Sequence, residues 1–128
     1  MADRIGAERI SEAELAVMEV LWSAGVALTA TDVAQRIETG RDWSDRTVKT
    51  MLARLLAKGV LAHEEDGRRY LYRPTVARER YVAGESRRLV DRLFGGRAAP
   101  MVAHLAQGDG LSQDDIAELE ALLKELRA

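Results

Sequence analysis

The sequence predicts a mainly α-helical protein with one small β-hairpin, in which a winged helix-turn-helix domain is followed by a purely helical domain. Three short segments with the apolar spacing of amphipathic helices occupy the chain up to Gly59. Two short segments then have an apolar residue at every second position, as in a β-strand. They flank Asp66-Gly67, a dipeptide typical of a hairpin turn. Helical spacing returns after Pro74, so we place the two domains at residues 1–74 and 75–128.

The composition is typical of a folded protein that stays inside the cell. Of the 128 residues, 47% are hydrophobic and 31% are charged, which is enough to bury a core and argues against disorder. There is no cysteine, which excludes disulfides, thiolate metal sites and cysteine nucleophiles. The sequence shows neither an apolar run long enough to cross a bilayer nor a signal peptide, so we expect a cytoplasmic protein.

The charge is unevenly distributed along the chain. The formal net charge is only −2, but residues 1–40 carry −4, residues 41–97 carry +6 and residues 98–128 carry −4. The positive charge therefore lies in the middle of the chain, where it can serve a nucleic-acid partner that the overall balance would argue against.

The predicted helices and strands are defined by their caps and turns. Ser11 and Glu14 form a capping box that starts the first helix, and Gly25 ends it. Residues 26–28 leave room for a single short strand. The remaining predicted elements are a second helix from Thr29 to Gly40, a third from a Ser44 cap to Gly59, hairpin strands at 60–64 and 69–73, a fourth helix from a Thr75 cap to Gly95-Gly96, a fifth at 100–106, and a last helix capped by Ser112.

The third helix has two different sides. Val48, Leu52 and Leu55 share an apolar side suited to packing on the first two helices. The opposite side is basic and carries short side chains at its centre, as a helix needs if it is to enter a major groove about 12 Å wide. The predicted DNA-binding residues are Ser44, Arg46, Thr47, Lys49, Thr50, Ala53, Arg54 and Lys58 of this helix and Arg68 and Arg69 at the hairpin tip.

Different roles are expected within this set. Arg46, Lys49 and Thr50 are placed to read or approach bases, and the flanking residues to contact the backbone. A basic solvated helix face is the alternative interpretation of the helix alone. The arginines that follow Asp66-Gly67 favour DNA binding, although the acidic residues 64–66 weaken the contribution expected from the hairpin.

Other chemistry is poorly supported by the sequence. Tyr70 and Tyr72 have the spacing of a stacking platform for single-stranded nucleic acid, but packing on their own sheet is the more ordinary role. His63 and His104 lack the spacing of zinc ligands, so we expect no metal and no other cofactor. With no phosphate-binding loop and no recognisable catalytic set, we expect no enzyme.

The C-terminal third carries more apolar residues than so thin a segment can cover. We interpret this excess as a homodimer interface, because two-fold dimers match palindromic DNA; packing on the winged domain is the alternative. The predicted dimerisation residues are Leu89, Leu93, Phe94, Met101, Val102, Leu105, Leu119, Leu122, Leu123 and Leu126.

Several segments resemble the BlaI/MecI/CopY penicillinase-repressor family. The resemblance covers nearly the whole chain, and the third helix and the Phe-Gly-Gly step are its most specific parts. The similar segments are residues 10–18 with Leu21-Trp22, residues 42–50 with Arg54-Leu55 and Lys58-Gly59, Tyr70-Leu71-Tyr72, and Leu93-Phe94-Gly95-Gly96.

The resemblance implies a dimeric repressor that binds palindromic operators of β-lactamase or related resistance genes. It also implies a membrane sensor metalloprotease pathway that cleaves the repressor in the helix after the Phe-Gly-Gly step. By position the cleaved bond falls near His104-Leu105, where the better-known members have Asn-Phe. The cysteine metal motif of the copper-responsive members is absent, since the chain has no cysteine.

Two rival functions come from other classes. A winged-helix protein-interaction module would bind no duplex DNA even at low salt. A small-molecule-responsive winged-helix regulator would bind DNA with an affinity that an effector changes.

Overall fold

The computed structural model describes residues 9–37 and 43–128, and within these ranges the chain forms six helices and one two-stranded sheet. No helix in this part of the chain combines the length and the apolar character that crossing a membrane requires. The elements, in chain order, are α1 (Glu12–Ala24), α2 (Ala30–Arg36), α3 (Asp45–Ala57), β1 (Leu61–Asp66), β2 (Arg69–Pro74), α4 (Arg78–Phe94), α5 (Ala98–Ala106) and α6 (Gln113–Arg127).

The helix starts predicted at Ser11, Thr29 and Ser112 are confirmed. At α1 the Ser11 hydroxyl accepts the Glu14 amide at 3.1 Å, and the Glu14 carboxylate accepts the Ser11 amide at 2.9 Å. Thr29 caps α2 and Ser112 caps α6 with the same reciprocal pattern. Each box satisfies donors that a helix start otherwise leaves without a partner.

The second helix is shorter than predicted. Gly40, its predicted end, lies outside the described residues, but α2 already ends at Arg36. Ile37 follows with extended backbone angles, φ −61° and ψ 136°, and packs against the core. We attribute the early end of α2 to the packing of Ile37 against the core, which requires an extended backbone at that residue.

The core of the winged part lies between α1, α2, α3 and the hairpin. Met18, Leu21, Val33, Leu52 and Leu55 are among its fully buried side chains. Trp22 and Trp43 are partly buried and pack against it.

The hairpin is an antiparallel pair in which Asp66 lies opposite Arg69. The two turn residues are therefore Gly67 and Arg68, and Gly67 has the positive φ of 69° that glycine adopts without strain. The predicted short strand before α2 is reduced to a single bridge, in which Leu28 and Tyr72 exchange backbone hydrogen bonds of 3.0 and 2.7 Å.

The fourth helix starts later than predicted. Thr75 does not cap it: the Thr75 hydroxyl donates to the carbonyl of Gly59 at 2.6 Å, and α4 begins only at Arg78. The Thr75 hydroxyl therefore bonds to a residue distant in sequence and is not available to cap the helix. Thr75 thereby ties the end of the hairpin to the turn after α3.

The chain forms two compact units, Met1–Glu85 and Ser86–Ala128. The division lies inside α4, whereas the predicted boundary precedes that helix. The first turn of α4 belongs to the winged unit because Arg78 pairs with Glu19 of α1 at 2.7 Å and the Tyr81 ring lies 5.6 Å from that of Trp22.

The second unit consists of the end of α4 followed by α5 and α6. Gly95 and Gly96 end α4 with φ values of 59° and 87°, and the Gly96 amide returns to the Val90 carbonyl. Between α5 and α6 the backbone of Gly110 lies directly against the carbonyl of Leu105, so that an added Cβ would come within 1.7 Å of that oxygen.

Candidate nucleic-acid interface

Helix α3 is anchored by its inner side. Val48, Leu52 and Leu55 are fully buried, and Met51 and Leu56 pack against the same core. Burial of these side chains fixes which side of the helix faces outward, because turning the helix would expose them at about 1.5–3 kcal/mol each. The predicted apolar side of the third helix is therefore confirmed.

The outer side of α3 carries most of the predicted DNA-binding residues. The exposed members of this set are Arg46, Lys49, Thr50, Ala53 and Arg54. Thr47 is half-buried at the edge, and Ser44 is exposed at the N-cap. The side chains between the cations are short, so this surface can approach the floor of a groove.

Hydroxyl groups on this surface are partly engaged within the helix. The Ser44 hydroxyl accepts the Thr47 amide at 3.2 Å and lies 3.1 Å from the Thr47 hydroxyl. The Thr50 hydroxyl donates to the Arg46 carbonyl at 3.0 Å. Because its proton is used internally, the Thr50 oxygen is left to accept from a base amine, and its methyl can contact thymine.

The cations of this surface are electrostatically available. Among the described residues no carboxylate forms an ion pair with Arg46, Lys49 or Arg54. Asp45 lies in the first turn of α3, where its carboxylate interacts favourably with the positive end of the helix dipole. The outer side of α3 is therefore a compact positive surface.

The hairpin tip holds two arginines in different states. Arg68 is an exposed turn residue with no ion pair to any described residue. Arg69 directs Nε and Nη2 to one oxygen of Asp66, at 3.2 and 3.0 Å. Arg68 is thus the arginine of the tip with its full charge available to a phosphate.

Lys58 does not lie with the rest of the predicted set. Its ammonium donates to the Glu14 carboxylate at 2.6 Å and to the Arg9 carbonyl at 2.7 Å, and its side chain is only 24% exposed. Lys58 therefore contacts the start of α1 and does not share the exposed position of Arg46, Lys49 and Arg54.

The Lys58–Glu14 pair was missed by the sequence reasoning, although a signal for it exists. Glu14 precedes Val17, Met18 and Leu21 at helical spacing, so it lies on the inward side of α1 and is 2% exposed. A carboxylate placed there needs an internal cation or its charge is too costly to bury. Lys58 follows Leu55 by one turn and is placed to supply it.

The aromatic residues of the hairpin form a small cluster with His63. The His63 ring lies 4.6 Å from the Tyr70 ring and 5.6 Å from the Tyr72 ring. Tyr72 packs against the core, and burial raises its pKa, with a smaller contribution from Tyr70. No group of residues able to hold a metal ion occurs in the described ranges.

The second unit leaves its apolar side chains largely uncovered. Neither α5 nor α6 has a buried residue, and Leu93 and Leu126 are 58% and 72% exposed. Leu89, Phe94, Met101 and Leu119 are half-buried. The other predicted dimerisation residues are exposed: Val102, Leu105, Leu122 and Leu123.

Ile116 is also exposed and was missing from the predicted set, although its spacing from Leu119 and Leu123 places it on the same side of α6.

Three helices with a two-stranded wing, and a short-chained basic face on the third helix, define a winged helix-turn-helix protein of the DNA-binding class. A family model described as penicillinase repressor matches residues 10–125. The chain belongs to the penicillinase repressor family, whose members are transcriptional repressors and not enzymes. The predicted family, fold class and non-enzymatic character are thereby confirmed.

Individual relatives cover nearly the whole chain. It is 34% identical over 117 residues to the penicillinase repressor of Bacillus licheniformis, covering 91% of each protein. It is 28% identical over 116 residues to the methicillin resistance regulatory protein MecI of Staphylococcus aureus strain N315, covering 91% of this chain and 94% of that one.

A solved structure supports the fold of the winged part. The solution structure of the DNA-binding domain of the repressor BlaI matches with a TM-score of 0.51 and 37% identity, covering 57% of this chain and 88% of that domain.

Proposed function

We propose that this chain represses transcription as a homodimer bound to a palindromic operator, with one α3 helix in each half-site. The observation that carries the proposal is the outer side of α3, a positive surface of short side chains whose cations have no internal partner among the described residues. Burying this side of α3 against an apolar surface would be costly, because its cations would lose water without gaining a partner. Phosphates and guanine edges supply the missing partners.

The residues take distinct roles in this proposal. Arg46, Lys49 and Thr50 read or approach base edges, and Ala53 lets the helix come close. Arg54 and Arg68 contact phosphates, with Thr47, Ser44 and the first amides of α3 at the backbone. Arg69 contributes less than Arg68 because Asp66 already neutralises it. Lys58 is withdrawn from the contact set because Glu14 holds it.

The second unit supplies the dimer. Six of its predicted dimerisation residues are exposed apolar side chains, namely Leu93, Val102, Leu105, Leu122, Leu123 and Leu126, and a second copy of the same surface covers them without new chemistry. Two winged units then bind half-sites about one helical turn of DNA, or a multiple of it, apart. The functional domains are thus the winged DNA-binding part and the helical dimerisation part of the original prediction.

The names of the relatives support a proposal for the target genes. The similar proteins are named for penicillinase repression and methicillin resistance. We assign this chain to operators of β-lactamase or related resistance genes. The compartment is the cytoplasm, where those genes lie.

Derepression by proteolysis is part of the proposal, with a membrane sensor metalloprotease pathway as partner. His104 and Leu105 are exposed and lie in the last turn of α5, where helices fray most easily. Cleavage between them would detach α6 with many of the exposed leucines. Mass spectrometry of the protein from cells treated with a β-lactam should find a fragment ending at His104; derepression with an intact chain would refute this step.

Selection of duplexes from a randomised library tests the main proposal. The full-length protein should enrich a two-fold symmetric sequence, and sedimentation should give a dimer on one duplex. Enrichment of no sequence at low salt would contradict DNA recognition and favour a protein-interaction module. An affinity that changes with a small effector, while the chain stays intact, would favour the small-molecule-responsive regulator.

A further inference from the structure

One carboxylate joins the beginning of α1 to the end of α3. Glu14 Oε1 accepts the Ser11 amide at 2.9 Å and the Lys58 ammonium at 2.6 Å. The same ammonium donates to the Arg9 carbonyl at 2.7 Å. Lys58 is the C-cap residue of α3, so these bonds attach the last turn of the proposed reading helix to the first turn of α1.

The attachment is charged and shielded from water. The Glu14 side chain is 3% exposed and that of Lys58 is 24% exposed. Burial opposes ionisation of Glu14, but the hydrogen bonds from Lys58 and the Ser11 amide outweigh it, and the pKa of this carboxyl is lowered. Glu14 is therefore ionised at neutral pH, and bonds to charged groups inside a protein are stronger and more directional than apolar contacts.

The hydrogen bonds of Lys58 add a directional restraint to the apolar contacts that hold α3. Val48, Leu52 and Leu55 determine which side of the helix faces inward, but the hydrophobic effect that buries them is itself non-directional. A bond at the helix end fixes the axial position. Base reading needs that position, because hydrogen bonds weaken steeply when donors and acceptors are displaced.

We propose that Glu14 and Lys58 are positioning residues that hold α3 in the register required to read its operator, and that neither contacts DNA. This inference rests on the proposed function. It has a distinctive consequence, since neutralising Glu14 makes the protein more positive and would, by charge alone, strengthen DNA binding. The positioning role requires the opposite, a loss of operator affinity.

The experiment compares Glu14→Gln, Lys58→Met and the double variant with the wild-type full-length chain. Glutamine keeps the capping acceptor and removes only the charge. The probes are the duplex that the wild-type protein enriches and a scrambled duplex of the same composition. Affinity for both is measured over a range of salt concentrations, and circular dichroism confirms that each variant is folded at the assay temperature.

Each single variant should lose operator affinity by about 2- to 100-fold, the range of coupled pairs. Affinity for the scrambled duplex should barely change, so the specificity ratio should fall. The double variant should be no weaker than the weaker single variant. The salt slope of Lys58→Met should stay within about half a unit of wild type, because no phosphate contact is lost.

Glu19→Gln is the matched control. It neutralises another α1 glutamate that is paired across elements, with Arg78 at 2.7 Å, but that pair does not touch α3. Its specificity ratio should equal that of wild type. Lys58→Arg, which keeps the charge, should restore most of the loss seen with methionine.

Two results would overturn the inference while leaving the proposed function intact. One is operator binding by Glu14→Gln that is equal to or tighter than wild type. The other is a Lys58→Met protein that loses about one unit of salt slope per subunit and weakens equally on both duplexes, as a phosphate contact would. A wild-type protein that enriches no duplex would instead overturn the proposed function, and this inference with it.

Discussion

Replacing Arg68 by alanine removes the cation at the tip of the wing that has no ion pair among the described residues. In a dimer two such cations are lost. Each neutralised phosphate contributes about 0.9 to the slope of log affinity against log salt, so the slope should fall by about 1.8. When salt rises from 50 to 200 mM, the affinity of the wild type should therefore fall by a factor about 12 times larger than that of the variant.

Salt titrations of fluorescence anisotropy on the enriched duplex and on a scrambled duplex measure this slope. Both duplexes should show the same change, because a phosphate contact carries no sequence information. Arg80→Ala is the control: it removes another exposed arginine, from α4, whose first turn pairs with α1 through Arg78 and Glu19. A slope unchanged in Arg68→Ala, or equally reduced in Arg80→Ala, would refute the assignment of the wing to the DNA backbone.

Four further outcomes are expected. Arg46→Ala should cost about 1–3 kcal/mol in operator binding and relax preference at one base position, as a repeated duplex selection would show; uniform weakening would contradict base reading. Leu52→Ala should lower the free energy of unfolding by about 2–5 kcal/mol in denaturant titrations, because Leu52 is fully buried, whereas Thr50→Ala on the other side should cost less than about 1 kcal/mol. Leu122→Glu should give a monomer by sedimentation and weaken operator binding, unlike Glu120→Gln; a dimer that survives would place the interface elsewhere. The stability difference between wild type and Glu14→Gln should be constant above the ordinary Glu pKa of 4.5 and shrink as pH falls through the lowered pKa of the folded state, because a carboxyl with a lowered pKa stabilises only when ionised.

Features set by neighbouring residues were predictable from the sequence. The caps at Ser11, Thr29 and Ser112 form as expected, because donor and acceptor lie within one turn of each other. The two sides of α3 follow from spacing alone. The hairpin was also found, since Gly67 occupies the turn position that needs a positive φ.

Features that depend on distant partners were not predictable in the same way. Thr75 looks like a helix cap but bonds to Gly59, and Lys58 looks like a phosphate contact but bonds to Glu14. In both cases a residue far along the chain competes successfully for the polar group. The dimerisation residues remain a prediction for a related reason: the proposed partners of these residues belong to another copy of the chain.

Two glycines of the second half of the chain should tolerate change very differently. Gly84 lies inside α4 with open space around it and no unusual backbone angle, so alanine there should raise the melting temperature. At Gly110 any side chain would collide with the Leu105 carbonyl. In a library of random mutants selected for repression, position 84 should therefore accept many residues other than proline, while position 110 should stay glycine in every survivor.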